Sequence, residues 1–571
     1  MITLRQNTLN MKVLKRIYKY IAIISLFFSI SQLSANAHIP SPKHEVRAVW
    51  LTTIGGLDWP HSYARSENSV KIQKKELCDI LDKLKKANIN TVLLQTRIRG
   101  TVIYPSAYEP WDGSMSGIPG LSPGYDPLAF AIDECHKRGM ELHAWVVTIP
   151  IGRWNNTGCK KLRYKYPNMI KRIGDEGYIN PEHPQAGPYI ADICGEITEN
   201  YDIDGIHLDY IRYPETWNRK INRRQGREYI TGIVKMIHNR VKGRKPWVKI
   251  SCSPIGKFDD LTRYRSHGWN AYTTVCQDAQ GWLQDGFMDE LFPMIYFKGN
   301  QFYPFALDWK ENGNGRIICA GLGIYFMSDK EKDWDVELFK RKMNVLRANG
   351  MGHAFFRSRF FTENIKGIYD LTSDEIDKNP ALIPPMTWQW NVKPSAPSSM
   401  TITNTKTGYL ICWNGAKDMS DGTYLSYNIY SSPSYPVDID DARNIIATRY
   451  LKQEIFIAHE RNKRPRYYAV TAMDRYGNES QPISIPPKTT KENRSYLLKN
   501  DGKTLSVPPK TNILSADYLI IETLQGGIVA TRPYIDETAD ISDLSEGMYV
   551  LRSLGQKGIT HRLGTFIIKR H

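Results

Sequence analysis

In this chain of 571 residues, the carboxylates at the ends of short apolar runs are the groups placed to do chemistry. The segment from Asp204 to Pro214 reads DGIHLDYIRYP. Gly205, His207 and Asp209 share one parity, and Ile206, Leu208 and Tyr210 the other. A strand here turns its apolar pair to one side and aims Asp209 from the opposite face. Two carboxyl groups, one protonated and one ionised, are what cleavage of a glycosidic bond normally needs. Asp209 is the leading carboxylate; its alternative role is a structural ion pair with Arg97, Arg99 or Arg212. Asp278, in TVCQDAQGWLQDG, is the provisional partner, although an acid where a helix begins serves equally as its N-cap. Glu109, Asp112, Glu182, Glu215, Asp259 and Asp260 are further acids expected on the same face. Asp204 and Asp289 fall at strand starts, where a structural role is expected.

Aromatic and hydrogen-bonding residues gather around these acids. Sugar rings present flat CH faces that aromatic side chains can cover, while Arg and His can bond hydroxyls or a carboxylate. The substrate-binding set expected on this basis is Arg97, Arg99, Trp111, His143, Trp145, His207, Tyr210, Arg212, Tyr213 and Tyr296. For Trp145 and Tyr296 a core position is the competing expectation, and for His143 a satisfied interior histidine. No spacing of Cys or His suggests a metal site, and no cofactor motif is present.

Positioning such groups requires a scaffold. From residue 45 onward, short apolar runs alternate with stretches whose apolar residues recur every three or four positions, the pattern of βαβ units. Strands are expected in EVRAVWLTT from Glu45, NTVLLQTR from Asn90, MELHAWVV from Met140, IDGIHLDY from Ile203 and WVKISCSP from Trp247. Three more are expected in MDELFPMIYF from Met288, RIICAGLGIYF from Arg316 and GMGHAFFRS from Gly350. Eight such units predict an α/β fold, a closed (β/α)8 barrel over residues 38–390, with reactive groups at the C-terminal strand ends. The proline-rich Asn379 to Ser399 reads as a linker. Short alternating strands then predict two all-β sandwiches, over 391–487 and 488–571.

Residues 1–37 read as a signal peptide, with Lys12, Lys15, Arg16 and Lys19 preceding the apolar run Ile21 to Ile30, and Ala35-Asn36-Ala37 fitting a cleavage site. An exported protein, periplasmic or at the cell surface, is therefore expected, without a stable membrane span. Net charge is +17, of which Arg5, Lys12, Lys15, Arg16 and Lys19 of that segment supply five, leaving +12. The excess is moderate, basic clusters such as NRKINRRQGRE lie on an expected helix with interspersed acids, and nucleic acid is not expected as a partner. The eight cysteines fall mostly within apolar strands and helices, which predicts buried thiols rather than a disulfide framework.

The barrel segments resemble the glycoside-hydrolase-like family 10 barrels of the bacterial cell envelope. EVRAVWLTTIGGLDWP, QTRIRGTVIYPSAYEPW, LHAWVV, INPEHPQ, DGIHLDYIRYP, SPIG and QDAQGWLQDGFMDELFPMIYF occur in that family's order and span nearly the whole barrel. The resemblance implies hydrolysis of glycosidic bonds in polysaccharide, with peptidoglycan glycan strands as the implied substrate, and keeps Asp209 and Asp278 as site residues. The chain departs from the family at Thr101, where an acid is frequent, and at Met294, where Gln is frequent. DGIHLDYI also resembles the family 18 chitinase strand in its first and third acids, but His207 and Ile211 replace the other two, which disfavours substrate-assisted cleavage. Residues 391–487 resemble a fibronectin type III module, and 488–571 resemble the C-terminal sorting domains of type IX secretion. The expectation is an exported glycoside hydrolase; the alternative is a carbohydrate-binding or adhesive barrel without turnover.

Overall fold

The computed structural model describes residues 41–459, 466–487, 497–507, 516–534, 537–555 and 560–569; the expected signal peptide lies outside them. The chain divides into two compact units, Met1–Ile485 and Pro486–His571.

The first unit begins with eight parallel strands: β1 (Arg47–Leu51), β2 (Thr91–Arg97), β3 (Glu141–Val147), β4 (Gly205–Asp209), β5 (Lys249–Cys252), β6 (Glu290–Leu291), β7 (Ile317–Gly323) and β8 (Gly352–Phe356). They close into one barrel in sequential order, with β8 pairing back to β1. Each lies within its expected segment because these runs are buried on both faces, with an apolar face toward the helices and an inward face that mixes apolar with polar side chains. One face fills the barrel: Val46, Ala48, Trp50, Leu93, Trp145, Phe292, Ile317, Cys319 and Ala354 form a single interior cluster. The other face, including Leu94, Leu142, Ile206 and Leu208, packs beneath the helices.

The main helices are α1 (Glu67–Lys86), α2 (Pro127–Lys137), α3 (Ala186–Asn200), α4 (Arg223–Lys242), α5 (Ala279–Gln284), α6 (Phe302–Glu311) and α7 (Val336–Ala348). Local chemistry sets several starts. Ser66 and Ser69 cap α1 reciprocally, as Asn222 and Gln225 cap α4, and Asp126 caps α2 ahead of Pro127. After β3 the chain makes an excursion that periodicity did not reveal, an antiparallel sheet of Pro150–Arg153, Ile170–Ile173 and Glu176–Ile179. No helix among the described residues is long and apolar enough to cross a membrane.

The proline-rich segment expected to be a linker is instead a packed strap. Ala381, Leu382, Ile383 and Met386 are all buried, and Ile383 joins the barrel's interior cluster at the end opposite Asp209. Its backbone is also tied down: the Asn379 carbonyl accepts from Arg47 Nη1 (2.6 Å), and the Ala381 carbonyl from Asn90 Nδ2 (3.1 Å). Proline favours extended backbone, and extended backbone can pack as well as connect.

A β-sandwich follows within the same unit, with Met400–Asn404, Gly408–Trp413 and Glu454–Ala458 in one sheet. Ile445–Tyr450, Ser426–Ser432, Tyr467–Met473 and Ile483–Ser484 form the other. Trp413, Tyr427, Ile429, Tyr468 and Val470 fill the space between. This sandwich grips the base of the barrel. Arg449 reaches Glu141 at 2.9 Å and Asp204 at 2.5 Å, and Arg475 reaches Asp202 at 2.6 Å. The second unit has a four-stranded and a two-stranded antiparallel sheet around Leu519, Ile521, Leu551 and Phe566. All eight cysteines are free.

Candidate active site

Asp209 ends β4, in register with Val147 at the end of β3. Its carboxylate is buried, 8 % exposed, and held by three donors. Ser253 Oγ and the Tyr210 amide donate to Oδ1, both at 2.8 Å, and Trp145 Nε1 donates to Oδ2 at 3.2 Å. No ion pair to it forms among the described residues; the facing charge is Arg212. Burial raises its pKa from the ordinary aspartate value, against the opposing pull of Ser253, Arg212, the Tyr210 amide and Trp145. The direction of the shift favours the protonated form.

Tyr210 follows in the left-handed region, φ +53°. That conformation costs about 1–2 kcal/mol in a residue with a Cβ. Here it brings the Tyr210 amide onto Asp209 while leaving the ring 36 % exposed. Arg212 lies over that ring, 4.6 Å from its centroid, and pairs with Glu215 at 2.9 Å. The Tyr296 hydroxyl is buried without a hydrogen-bond partner, and its pKa is raised far above normal by burial, then by Tyr325 and by Asp209. Gly323 makes room for this arrangement, since a Cβ there would stand 3.1 Å from the Tyr296 ring. That hydroxyl is a buried polar group the protein itself leaves unsatisfied.

On the same rim a cleft of about 500 Å³ is lined by Arg99, Thr101, Asp112, Arg153 and Asn156. Arg99 is exposed at this cleft, on the loop after β2. Trp111 is half-buried, bridging to Val102 next to Asp112. Asp112 itself caps a short helix and accepts from Thr101 Oγ1 at 2.6 Å.

Four residues expected to touch substrate belong to the scaffold. Arg97 is fully buried in a forked pair with Glu109, 2.8 Å and 2.6 Å, and its remaining nitrogen donates to the Val147 and Thr148 carbonyls. Tyr189 completes that unit from α3, donating to Glu109 at 2.6 Å. His207 lies one layer below Asp209. Trp50 Nε1 donates to its Nε2 at 3.1 Å, so Nδ1 carries the proton and donates to Ser251 Oγ at 2.9 Å. Burial, then His143, drives its pKa far down, and it stays neutral. His143 sits lower still, donating to Glu141 at 3.0 Å and facing Glu290 at 3.8 Å. Gly205 admits it, because a Cβ there would approach the imidazole to 2.7 Å. Tyr213 is fully buried, its hydroxyl turned toward Glu182 at 3.5 Å. Inward parity alone does not distinguish the mouth from the layers beneath it, which is why these residues were drawn into the expected site.

Trp145 is also buried, and acts on Asp209 rather than on open space. Asp278 is the N-cap of α5, accepting from the Gly281 amide at 3.2 Å. Burial raises its pKa, and the charges bearing on it are Arg227 and Asp285; no contact joins it to Asp209. Ser253, Glu215 and Tyr325 are the residues that sequence reasoning left unassigned or only grouped. Ser253 shares parity with Lys249 and Ser251 just beyond β5, and that was the available signal.

The cluster Glu45, His353 and Asp377 could on distance alone hold a cation, with ligand atoms within 4.8 Å. Arg347 is already paired to Glu45 at 2.5 Å and to Asp377 at 2.7 Å, and Arg47 to Glu45 at 2.8 Å. The cluster is therefore an ion-pair network at the barrel base, its carboxylates neutralised by two guanidinium groups.

A closed barrel of eight parallel strands with intervening helices defines an α/β protein of the (β/α)8 barrel class, and Asp209 stands at the C-terminal end of one of its strands. The chain belongs to the glycosyl hydrolase-like 10 family, whose model matches residues 45–226 and 217–314. It is 30% identical over 509 residues to glycosyl hydrolase YngK of Bacillus subtilis, covering 82% of this chain and 97% of that protein. It is 31% identical over 291 residues to glycosyl hydrolase DigH of Escherichia coli K12, covering 44% of this chain and 65% of that one. Among solved structures, alpha-L-fucosidase isoenzyme 2 from Paenibacillus thiaminolyticus aligns at a TM-score of 0.41 and 14% identity, over 61% of this chain and 50% of that one.

Proposed function

We propose that the protein is an exported glycoside hydrolase that cleaves the glycan strands of peptidoglycan. The observation that carries the reading is Asp209: a carboxylic acid at the barrel mouth, fixed by three donors and tuned upward by burial. In the proposed reaction Asp209 protonates the leaving oxygen as the glycosidic bond breaks, and Tyr296 hydrogen-bonds the sugar beside it. The second carboxylate is Glu215. Arg212 faces both it and Asp209, and Glu215 is solvent-accessible where Asp278 is committed to its helix. In its ionised form Glu215 activates water or attacks the sugar directly. The exposed Arg99 and Arg153 in the adjoining cleft suit a glycan bearing carboxylates, as the lactyl groups of peptidoglycan do once their stem peptides are removed. We read 391–487 as a fibronectin type III-like module and 488–571 as a sorting domain, both serving placement at the envelope.

The test is release of reducing ends from amidase-stripped peptidoglycan by the full chain. Asp209→Asn and Glu215→Gln each lower the rate by about 10²-fold or more, the usual contribution of an acid or base, while Asp278→Asn stays within about threefold of wild type. If the glycan binds but wild type and Asp209→Asn are equally inert, the barrel is a binding module. If Asp278→Asn is the crippled variant instead, the partner is misassigned.

A further inference from the structure

The indole of Trp269 stands on the loop between β5 and α5 and is 49 % exposed. Burial therefore does not account for its position, yet the turn that presents it is held firmly. Gly268 before it takes φ +94°, and Asn270 after it is buried. The Asn270 side-chain oxygen accepts from the Thr273 amide at 2.8 Å, the Thr273 hydroxyl at 2.7 Å and the Thr274 amide at 3.1 Å. Its side-chain nitrogen donates to Asp259 at 3.0 Å. The Ala271 amide bonds the Lys257 carbonyl at 2.9 Å, anchoring the turn to the segment after β5. A large aromatic face held out to solvent on a fixed backbone loses little entropy on binding a ligand.

The face also has a direction. Arg212 lies 5.8 Å from the Trp269 ring and 4.6 Å from the ring of Tyr210, whose amide bonds Asp209. Its side chain is 3 % exposed, and its Nε has no hydrogen-bond partner. One guanidinium thus links an exposed indole to the rim of the catalytic mouth. On the other side of β4, the loops after β2 and β3 carry Arg99 and Arg153, which line the 500 Å³ cleft.

We propose that Trp269 and Arg212 form an outlying sugar subsite, in which the indole stacks on one pyranose ring of a polysaccharide while the adjoining stretch of chain crosses Tyr210 to Asp209. The inference rests on the glycosidase reading and deepens it: with subsites on both sides of Asp209, the preferred substrate is an internal stretch of a long strand rather than a terminal disaccharide. Stacking on an aromatic face is tolerant of which hydroxyls the sugar bears, so the subsite reads length before sequence.

The experiment titrates the full chain, made inert by Asp209→Asn, with long strands and with disaccharides from amidase-stripped peptidoglycan, following tryptophan fluorescence and calorimetric heat. Adding Trp269→Ala weakens binding of long strands about tenfold and leaves disaccharide binding unchanged. Trp269→Phe recovers most of the loss, and Tyr164→Ala, which removes a 92 % exposed tyrosine on the helix Thr157–Lys165, has no effect. Circular dichroism checks that each variant is folded. In the Asp209-intact enzyme, Trp269→Ala raises KM for long strands with kcat little changed. If Trp269→Ala binds long strands as well as its parent while wild type still cleaves them, the subsite is refuted and the glycosidase reading stands. If wild type neither binds nor cleaves any strand, the substrate reading fails and takes the subsite with it.

Discussion

Replacing Ser253 with alanine removes one hydroxyl oxygen and little else, yet that oxygen donates to Asp209 Oδ1 at 2.8 Å. A hydrogen bond to an ionised acceptor contributes about 1.5–3 kcal/mol. The serine can also accept from the protonated acid, so only part of this distinguishes the two protonation states. A difference near 1.4 kcal/mol corresponds to about one pKa unit. The donor favours the carboxylate, so its loss moves the Asp209 pKa further up, in the direction in which burial already pushes it. If Asp209 must be protonated to act, the basic limb of the kcat/KM profile on stripped peptidoglycan moves up by about one unit, with the rate at low pH little changed. Trp145→Phe removes the longer bond to Oδ2, 3.2 Å, and shifts the same limb the same way by less. A basic limb that stays in place refutes the assignment of Asp209 as the acid. Movement of the acid limb alone assigns it instead to the ionised role.

Two further predictions concern the barrel base. Arg449→Met leaves Glu141 and Asp204 short of their shared guanidinium, although Glu141 keeps Lys249 at 2.7 Å and Asp204 keeps His136 at 2.8 Å. The expected loss is about 3 kcal/mol, the low end for a broken buried pair, read by urea unfolding at neutral pH; a change under about 0.5 kcal/mol would show the contact to be ornamental. Glu290 is the second case. Burial raises its pKa to about 7, so the folded chain keeps a proton that the unfolded chain releases above its ordinary value of 4.5. Stability from this group is therefore lost as pH rises from about 4.5 through 7, by up to about 3 kcal/mol. Glu290→Gln, neutral throughout, removes that decline, and urea melts at pH 5 and 8 should diverge from wild type by about that amount. Parallel melts would mean that Glu290 titrates normally.

The barrel was legible because both faces of each strand are constrained. Val92, Leu93 and Leu94 are buried toward helix and interior alike, and such runs announce themselves. The parity argument that aimed Asp209 inward holds in the structure for the same reason. The depth of each inward residue was not legible. His143, His207 and Asp209 project into one barrel at different levels, and their levels follow from strand register, which pairs His143 with Gly205 and Trp145 with His207. The excursion sheet escaped notice because its strands are four residues each, and Ile170–Ile173 has two exposed basic residues at its centre. The strap escaped because five prolines resemble a connector until Leu382, Ile383 and Met386 are seen buried.

Arg449 and the strap also decide where the barrel ends in sequence. Glu141 and Asp204 lie at the starts of barrel strands, whereas Ile383, which fills the end of the barrel, and Arg449, which neutralises both acids, come after the final strand. The barrel therefore takes its last stopper and counter-charge from downstream, and its sealing depends on a stretch of sequence beyond its final strand. A chain cut after β8 would contain every barrel strand and still lack the parts that seal the barrel.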